Sequence, residues 1–269
     1  MPTPRASWLS SSSSWRTSPW TPEAPLSDRQ HRPPPGPHGS GGGPRSGGEG
    51  PSLPRPLRLR ELGRLAYTEA VELQADLVRR RRAGEIPDTL LLVEHPHVLT
   101  LGTGSSPEHE LLDEAARRER GIELHETGRG GDVTYHGPGQ LVGYPILDLK
   151  PDRKDLHRYL RDLEGALVDA LSHWGVEAYR EEGLTGVWTG AGKIAAIGVR
   201  VSSGWITSHG FALNVQTDLS YFDTIVPCGI RDREVTSLSR ILERPVPVAE
   251  ASPVVARAVA RRFGRRLSP

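Results

Sequence analysis

Cys228 is the only cysteine of the chain and stands in Val226-Pro227-Cys228-Gly229-Ile230. A lone thiol forms no intrachain disulfide, and without a Cys-x-x-Cys pair it makes no zinc site. It is then either a small buried hydrophobe or a nucleophile. Pro227 fixes its own φ and Gly229 tolerates unusual backbone angles, a setting that suits a sulfur held at a loop apex. The densest run of chemistry-bearing residues lies earlier, in Thr127-Gly128-Arg129-Gly130-Gly131-Asp132-Val133-Thr134-Tyr135-His136-Gly137-Pro138-Gly139-Gln140-Leu141. Its glycines allow close approach of backbone to a ligand. Arg129, Tyr135, His136 and Gln140 add donors and an aromatic wall. A Gly-rich surface turn is the plainer alternative. Neither the Walker nor the dinucleotide spacing is present.

The segment from Arg129 through Gln140 resembles the signature of the lipoyl(octanoyl) transferases, Arg-Gly-Gly-x-x-Thr-aromatic-His-x-x-Gly-Gln, with Tyr144 following. Three more blocks are similar in the right order: Glu94-His95-Pro96 through Gly102, Gly192-Lys193-Ile194-Ala195-Ala196-Ile197-Gly198, and His209-Gly210-Phe211-Ala212-Leu213-Asn214-Val215 with Pro227-Cys228-Gly229 beyond it. The resemblance spans residues 57–263. It implies an α+β fold, a biotin/lipoyl protein ligase-like catalytic domain with a mixed β-sheet flanked by helices.

It also implies an activity: transfer of octanoyl from octanoyl-acyl carrier protein to one lysine of a lipoyl domain, through a cysteine thioester and a Cys/Lys dyad, with no cofactor. The acceptors would be lipoyl domains of 2-oxoacid dehydrogenase complexes and the glycine cleavage H protein. The dyad falls on Cys228 and Lys193. Substrate contacts fall on Arg129, Gly130, Gly131, Asp132, Val133, Thr134, Tyr135, His136, Ala196, Ile197, Gly198, Gly210, Phe211 and Ala212. The chemistry is consistent with these roles. A free thiol is only a few per cent ionised at neutral pH, and a neighbouring ammonium favours the thiolate. Lys193, at the start of an apolar strand, could then move protons between successive leaving and attacking groups. Oxyanion donors would come from backbone N–H groups near Cys228 and Gly229, or from the Gly130-Gly131 loop. Burying about six methylenes of an octanoyl chain gives roughly 5 kcal/mol of gross attraction.

Among the histidines, His136 and His209 are expected to line the site, while His95 suits a capping or core role equally well. Gln140 is a further candidate. His97, His125, His157 and His173 read as incidental, surface or helix-face residues. His95-x-His97 lacks a third metal ligand at sensible spacing. Three rivals remain: an ATP-dependent lipoate or biotin ligase on the same fold, a non-catalytic carrier- or lipoyl-domain-binding protein, and a cysteine hydrolase using His136 or His209. The Arg-rich loop of biotin ligases and the Arg-Arg…Gly-Gly-Gly-Ala run of lipoate ligases are both absent.

These residues need a scaffold. Apolar spacing predicts helices over 66–82, 155–174, 236–242 and 248–263. Strands are expected over 89–93, 98–101, 122–126, 133–135, 140–149, 193–201, 205–207 and 211–215. Strands in runs point to α+β. The arginines at 79–82 read as a solvated helix end that could also meet an acidic carrier protein. A net charge of +1 over 269 residues gives no electrostatic case for nucleic acid or a membrane surface. No apolar run is long enough to span a bilayer. Residues 1–56, rich in Ser, Pro, Gly and Arg, are expected to be a disordered tail before a catalytic domain at 57–269. A single cysteine suits a reducing, cytoplasmic setting. Were the tail a transit peptide, the setting would be the mitochondrial matrix. Pro2, Pro4 and Pro19 argue against that, and a regulatory tail or a misplaced start codon is the expectation.

Overall fold

The computed structural model describes residues 54–106, 109–151, 154–225 and 234–269. The chain runs β1 (Arg55–Arg64), α1 (Tyr67–Arg82), β2 (Asp88–Glu94), β3 (Val98–Leu101), α2 (Glu114–Glu119), β4 (Glu123–Glu126), β5 (Thr134–His136), β6 (Gln140–Ile146) and α3 (Leu156–Leu171). It continues with β7 (Ala178–Tyr179), β8 (Val187–Thr189), β9 (Gly192–Val201), β10 (Thr207–Asn214), α4 (Leu238–Leu242), α5 (Val248–Arg262) and β11 (Arg265–Ser268). Residues 1–53 and Cys228 lie outside the described residues, so the expected tail, apart from its last three positions, and the expected loop-apex thiol have no structural counterpart here.

Eight strands pair in the order β11-β1-β2-β6-β10-β9-β8-β7, and three more as β4-β3-β5. Both sheets are mixed. β1 runs parallel to β11 and β2, β3 parallel to β4, and the remaining pairs are antiparallel. β2 and β6, interior neighbours in the large sheet, are buried almost throughout, as continuous apolar runs require when helices cover both faces.

One face is covered by α3 and α5. The leucine spacing of α3 buries Leu163, Leu167 and Leu171 in the same core as Val255 and Val259 of α5. Asp155 caps α3 by accepting from Arg158 N at 3.0 Å, and Gly175 closes the following turn at φ 72°. The other face is covered by α1, whose Ala70 and Leu77 pack on Leu91, Val93, Val142 and Ile146. A smaller core around Leu99, Tyr135, Phe222 and Ile225 sits against the three-stranded sheet.

The fold is the expected α+β arrangement, with local departures. Trp205 belongs to a tight turn, its N–H bonded to Ser202 O at 2.8 Å, and β10 begins at Thr207 and runs unbroken through Gly210. β1 begins at Arg55, so the last two residues assigned to the tail are strand. The alternating arginines and leucines of β1 hid a real strand whose Leu57 is fully buried. The short β7, β8 and β11 had no periodic signal long enough to detect.

Candidate active site

The Gly-rich segment is held to the end of β3 and to β9 by its own backbone. Thr103 N bonds Arg129 O, Gly104 N bonds Gly131 O, and Gly130 N bonds Val199 O, at 3.0, 3.0 and 2.9 Å. The approach to β9 is so close that a Cβ at Gly198 would lie 2.9 Å from Gly130 O. Arg129 clamps this turn. Its guanidinium donates to Thr100 O at 2.5 Å, Thr100 Oγ1 at 2.8 Å and Asp132 O at 2.8 Å. Arg129 thus shapes the loop while facing the cavity beside it.

That cavity has a volume of about 430 Å³, within the range of small-molecule sites. It is floored by β9 and β10 and roofed by β5 and the Gly-rich turn. Of the expected site residues, Lys193, Arg129, Gly131, Asp132, Val133, Thr134, His136, Gln140, Ala196, Ile197, Gly198, His209, Gly210, Phe211 and Ala212 line it. Gly130 is spent on the β9 contact. Tyr135 alternates to the opposite side of β5, as the pleat demands, where its hydroxyl meets His97 Nδ1 at 2.8 Å and its ring stacks on Tyr221. The aromatic wall on the cavity side is therefore Tyr67, Tyr144, Phe211 and Phe222 instead.

Lys193, at the start of β9, is buried and spans the cavity edge. Its Nζ lies 5.3 Å from the centroid of the Trp188 ring. Its stem passes over Gly186, where a Cβ would come within 2.7 Å of Lys193 Cε. Gly186 is itself held by Glu164 of α3, whose carboxylate accepts from Gly186 N at 3.0 Å. The main chain of Lys193 is gripped by the segment that follows Cys228: Lys193 N bonds Glu234 O at 2.9 Å and Thr236 N bonds Lys193 O at 3.0 Å. Phe222 on one side of residues 226–233 and Val235 on the other both line the cavity.

Burial holds His136, His209 and His95 neutral. His136 donates from Nδ1 to Gln140 Oε1, and burial, followed by the nearby His95, pushes its pKa down to about 3. Burial and the charge of Arg129 lower His209 to about 4. His95 is fully buried. Its Nδ1 donates to Leu65 O and its Nε2 accepts from the Tyr144 hydroxyl, both at 2.8 Å, so it acts as a core strut behind the site. Burial raises the Tyr67 phenol to about 12 and lifts Tyr144 well above its usual value. Tyr67, at the start of α1, and His109, whose Nδ1 lies 2.6 Å from Asp132 Oδ2, also line the cavity, as does the turn Gly183-Leu184-Thr185. These were not legible in the sequence: Tyr67 reads as a helix start and the others as loop. His97 is more than incidental, stacking on Tyr221 at 4.3 Å between ring centroids. Among the described residues no cluster of His, Cys, Asp or Glu could hold a metal ion.

The family model of the lipoyl protein ligase A/B catalytic domain matches residues 66–260. An octanoyltransferase of Rubrobacter xylanophilus is 57% identical over 195 residues, covering 72% of this chain and 87% of that protein. One of Solibacter usitatus is 55% identical over 183 residues, covering 68% and 82%. In three dimensions the chain is similar to the bipartite lipoate protein ligase of Thermoplasma acidophilum, with a TM-score of 0.61 at 18% identity over 80% of this chain and 86% of that one, a likeness of fold. With the cavity walls drawn from the same blocks that carry the sequence match, the chain belongs to the lipoyl protein ligase A/B catalytic-domain family, on the side of its octanoyltransferases.

Proposed function

We propose that the protein transfers an octanoyl group from octanoyl-acyl carrier protein to a specific lysine of lipoyl domains, with Cys228 as nucleophile and Lys193 as its proton partner. The acceptors are lipoyl domains of 2-oxoacid dehydrogenase complexes and the glycine cleavage H protein, the setting is cytoplasmic, and the catalytic domain begins with β1 at Arg55, behind an N-terminal tail. The observation that carries the reading is convergence. Lys193, the apolar strands β9 and β10, and the residues on either side of the Cys228 segment all border one cavity. Cys228 follows Ile225 by three residues, and three residues of chain span at most about 11 Å.

The Cys228 thiolate attacks the donor's thioester carbon, with the developing oxyanion taken by backbone N–H groups. The carbon–sulfur bond to the carrier breaks, and the departing thiolate takes a proton from the Lys193 ammonium. An octanoyl-Cys228 thioester remains. The acceptor's lysine amine then attacks the same carbonyl, loses a proton to the now neutral Lys193, and expels the Cys228 thiolate. The products are an octanoyl amide and the starting enzyme. The buried ring faces of Phe211 and the small side chains of Ala196 and Ala212 suit the alkyl chain.

Intact mass spectrometry after mixing with octanoyl-acyl carrier protein tests this. The native protein gains an octanoyl adduct and Cys228→Ser does not. An adduct that survives in the Ser variant moves the nucleophile elsewhere. Acyl transfer from free octanoate and ATP, with none from the carrier, would make the protein a ligase instead.

A further inference from the structure

A second depression, of about 440 Å³, adjoins the cavity on the α1 side. Its walls carry Gln74, Arg79 and Arg82 from α1 and Arg200, Ser208 and His209 from β9 and β10, and no acidic side chain is among its lining residues. Arg79 is neutralised by Asp76 at 2.5 Å, and Asp76 also lies 3.7 Å from Arg80. Arg82 and Arg200 are exposed and have no carboxylate partner among the described residues. Arg82 lies across Gly204 and Arg200 across Gly128 of the Gly-rich turn.

Beneath them Gln74 is 3% exposed. Its Oε1 accepts from His209 N at 2.8 Å, which fixes the amide's orientation and leaves Nε2 buried without an acceptor. A buried donor with no partner is costly, and a bound acceptor would relieve it. His209, held by that bond at φ 55°, lines both this groove and the acyl cavity, so the two spaces meet at its side chain.

A ligand matching both spaces has an acyl thioester at one end and, outside His209, an anionic group rich in acceptor oxygens. We propose that the groove seats the phosphodiester of the prosthetic arm by which the acyl carrier protein presents its thioester, gripped by Arg82 and Arg200. The proposal rests on the donor named in the preceding subsection. Arginine suits it because its donors pair with phosphate oxygens two at a time.

Octanoyl-phosphopantetheine and octanoyl-pantetheine, which differ in the phosphate alone, are the probes, with octanoyl-carrier protein as a third donor. The native enzyme is expected to use the phosphorylated compound with kcat/KM about tenfold above the other, a preference that shrinks in high salt. The double variant Arg82→Ala/Arg200→Ala should bring the ratio near one while its rate with octanoyl-pantetheine stays within about twofold of native. Circular dichroism melting checks that it folds. A phosphate preference that survives in the variant overturns the proposal. So does a native enzyme that acylates well from both compounds with equal efficiency. If only carrier-protein use declines, the arginines serve the carrier's protein surface and the groove assignment fails. A native enzyme that forms no adduct from any of the three donors overturns the donor reading itself and this inference with it.

Discussion

His136 Nδ1 sits 2.8 Å from Gln140 Oε1, and the remainder of a hydrogen-bonded chain dictates which atom carries the proton. Asn214 Nδ2 donates to Thr236 O at 3.0 Å, so its Oδ1 must accept from Gln140 Nε2 at 2.9 Å, so Gln140 Oε1 must accept from His136. His136 therefore keeps an unprotonated Nε2 on its other side. The same chain joins the Gly-rich block to Thr236, which in turn bonds Lys193 O. Replacing Gln140 by Leu should strand His136, Asn214 and the Tyr135 carbonyl at a cost of about 1–3 kcal/mol and release the His136 tautomer. The expected kinetic result is a fall in kcat with little change in KM. A Leu variant with native kcat would show that the imidazole's orientation does not matter.

Histidines whose pKa is depressed by folding make stability depend on pH with a definite sign. The unfolded chain takes up a proton below about 6.5, whereas folded His136 waits until about 3 and His209 until about 4. Between those limits the unfolded state binds more protons, so stability is complete above pH 6.5 and declines as pH falls. The slope is roughly 1.4 kcal/mol per pH unit per histidine. His95 is lowered too and acts in the same direction. Urea denaturation at pH 7, 6 and 5 reads this slope above most carboxylate titration. His136→Gln should flatten it by about one histidine, and equal midpoints at pH 5 and pH 7 would contradict the burial argument.

Gly186 adopts φ 128°, and a Cβ there would press on Ala195 O at 2.6 Å as well as on the lysine stem. Gly186→Ala is expected to lose about 1–3 kcal/mol of stability. It should also displace the Lys193 ammonium, so that acyl-enzyme formation slows by more than the folded fraction explains. Stopped-flow thioester formation alongside thermal melting separates the two effects. An Ala variant that is acylated at the native rate would mean that the stem's path is not critical.

Much of this site was readable in the sequence because its parts lie in contiguous blocks. Glycine-spaced polar residues mark a turn, and Lys193 opens an unmistakable apolar strand. What could not be read was direction. A run such as Thr134-Tyr135-His136 sends alternate side chains to opposite faces, so Tyr135 leaves the cavity that its neighbours line. Nor does sequence say whether a guanidinium is free for substrate, and Arg129 spends several of its donors on Thr100 and Asp132. His109 and Gly183-Leu184-Thr185 reach the site through tertiary packing alone, and nothing in their local spacing distinguishes them from ordinary loop.

A deep ion pair ties the last strand to the sheet. Arg265 Nε lies 2.8 Å from Asp88 Oδ2, both side chains almost fully buried, and Asp88 Oδ1 also meets Arg81 Nε at 2.7 Å. Removing one member leaves a charge without its full shell. Arg265→Ala is expected to cost about 3 kcal/mol, and Arg265→Lys to recover only part, since an ammonium cannot reproduce the guanidinium fork. Chemical denaturation midpoints report the loss, and a shift under about 0.5 kcal/mol would mark the pair as dispensable.

The two margins of the large sheet carry a further consequence. One ends in β7, only two residues long, and the other in β11, four residues long with the charged Arg266 at its rim. β11 pairs only with Arg55–Arg58 of β1, so Leu59–Arg64 form the open edge on that side, carrying Arg60, Glu61 and Arg64 and a break in register between Glu61 and Arg64. Charges and an irregular register on that edge, rather than shortness, work against the large sheet zippering into ribbons with a second copy.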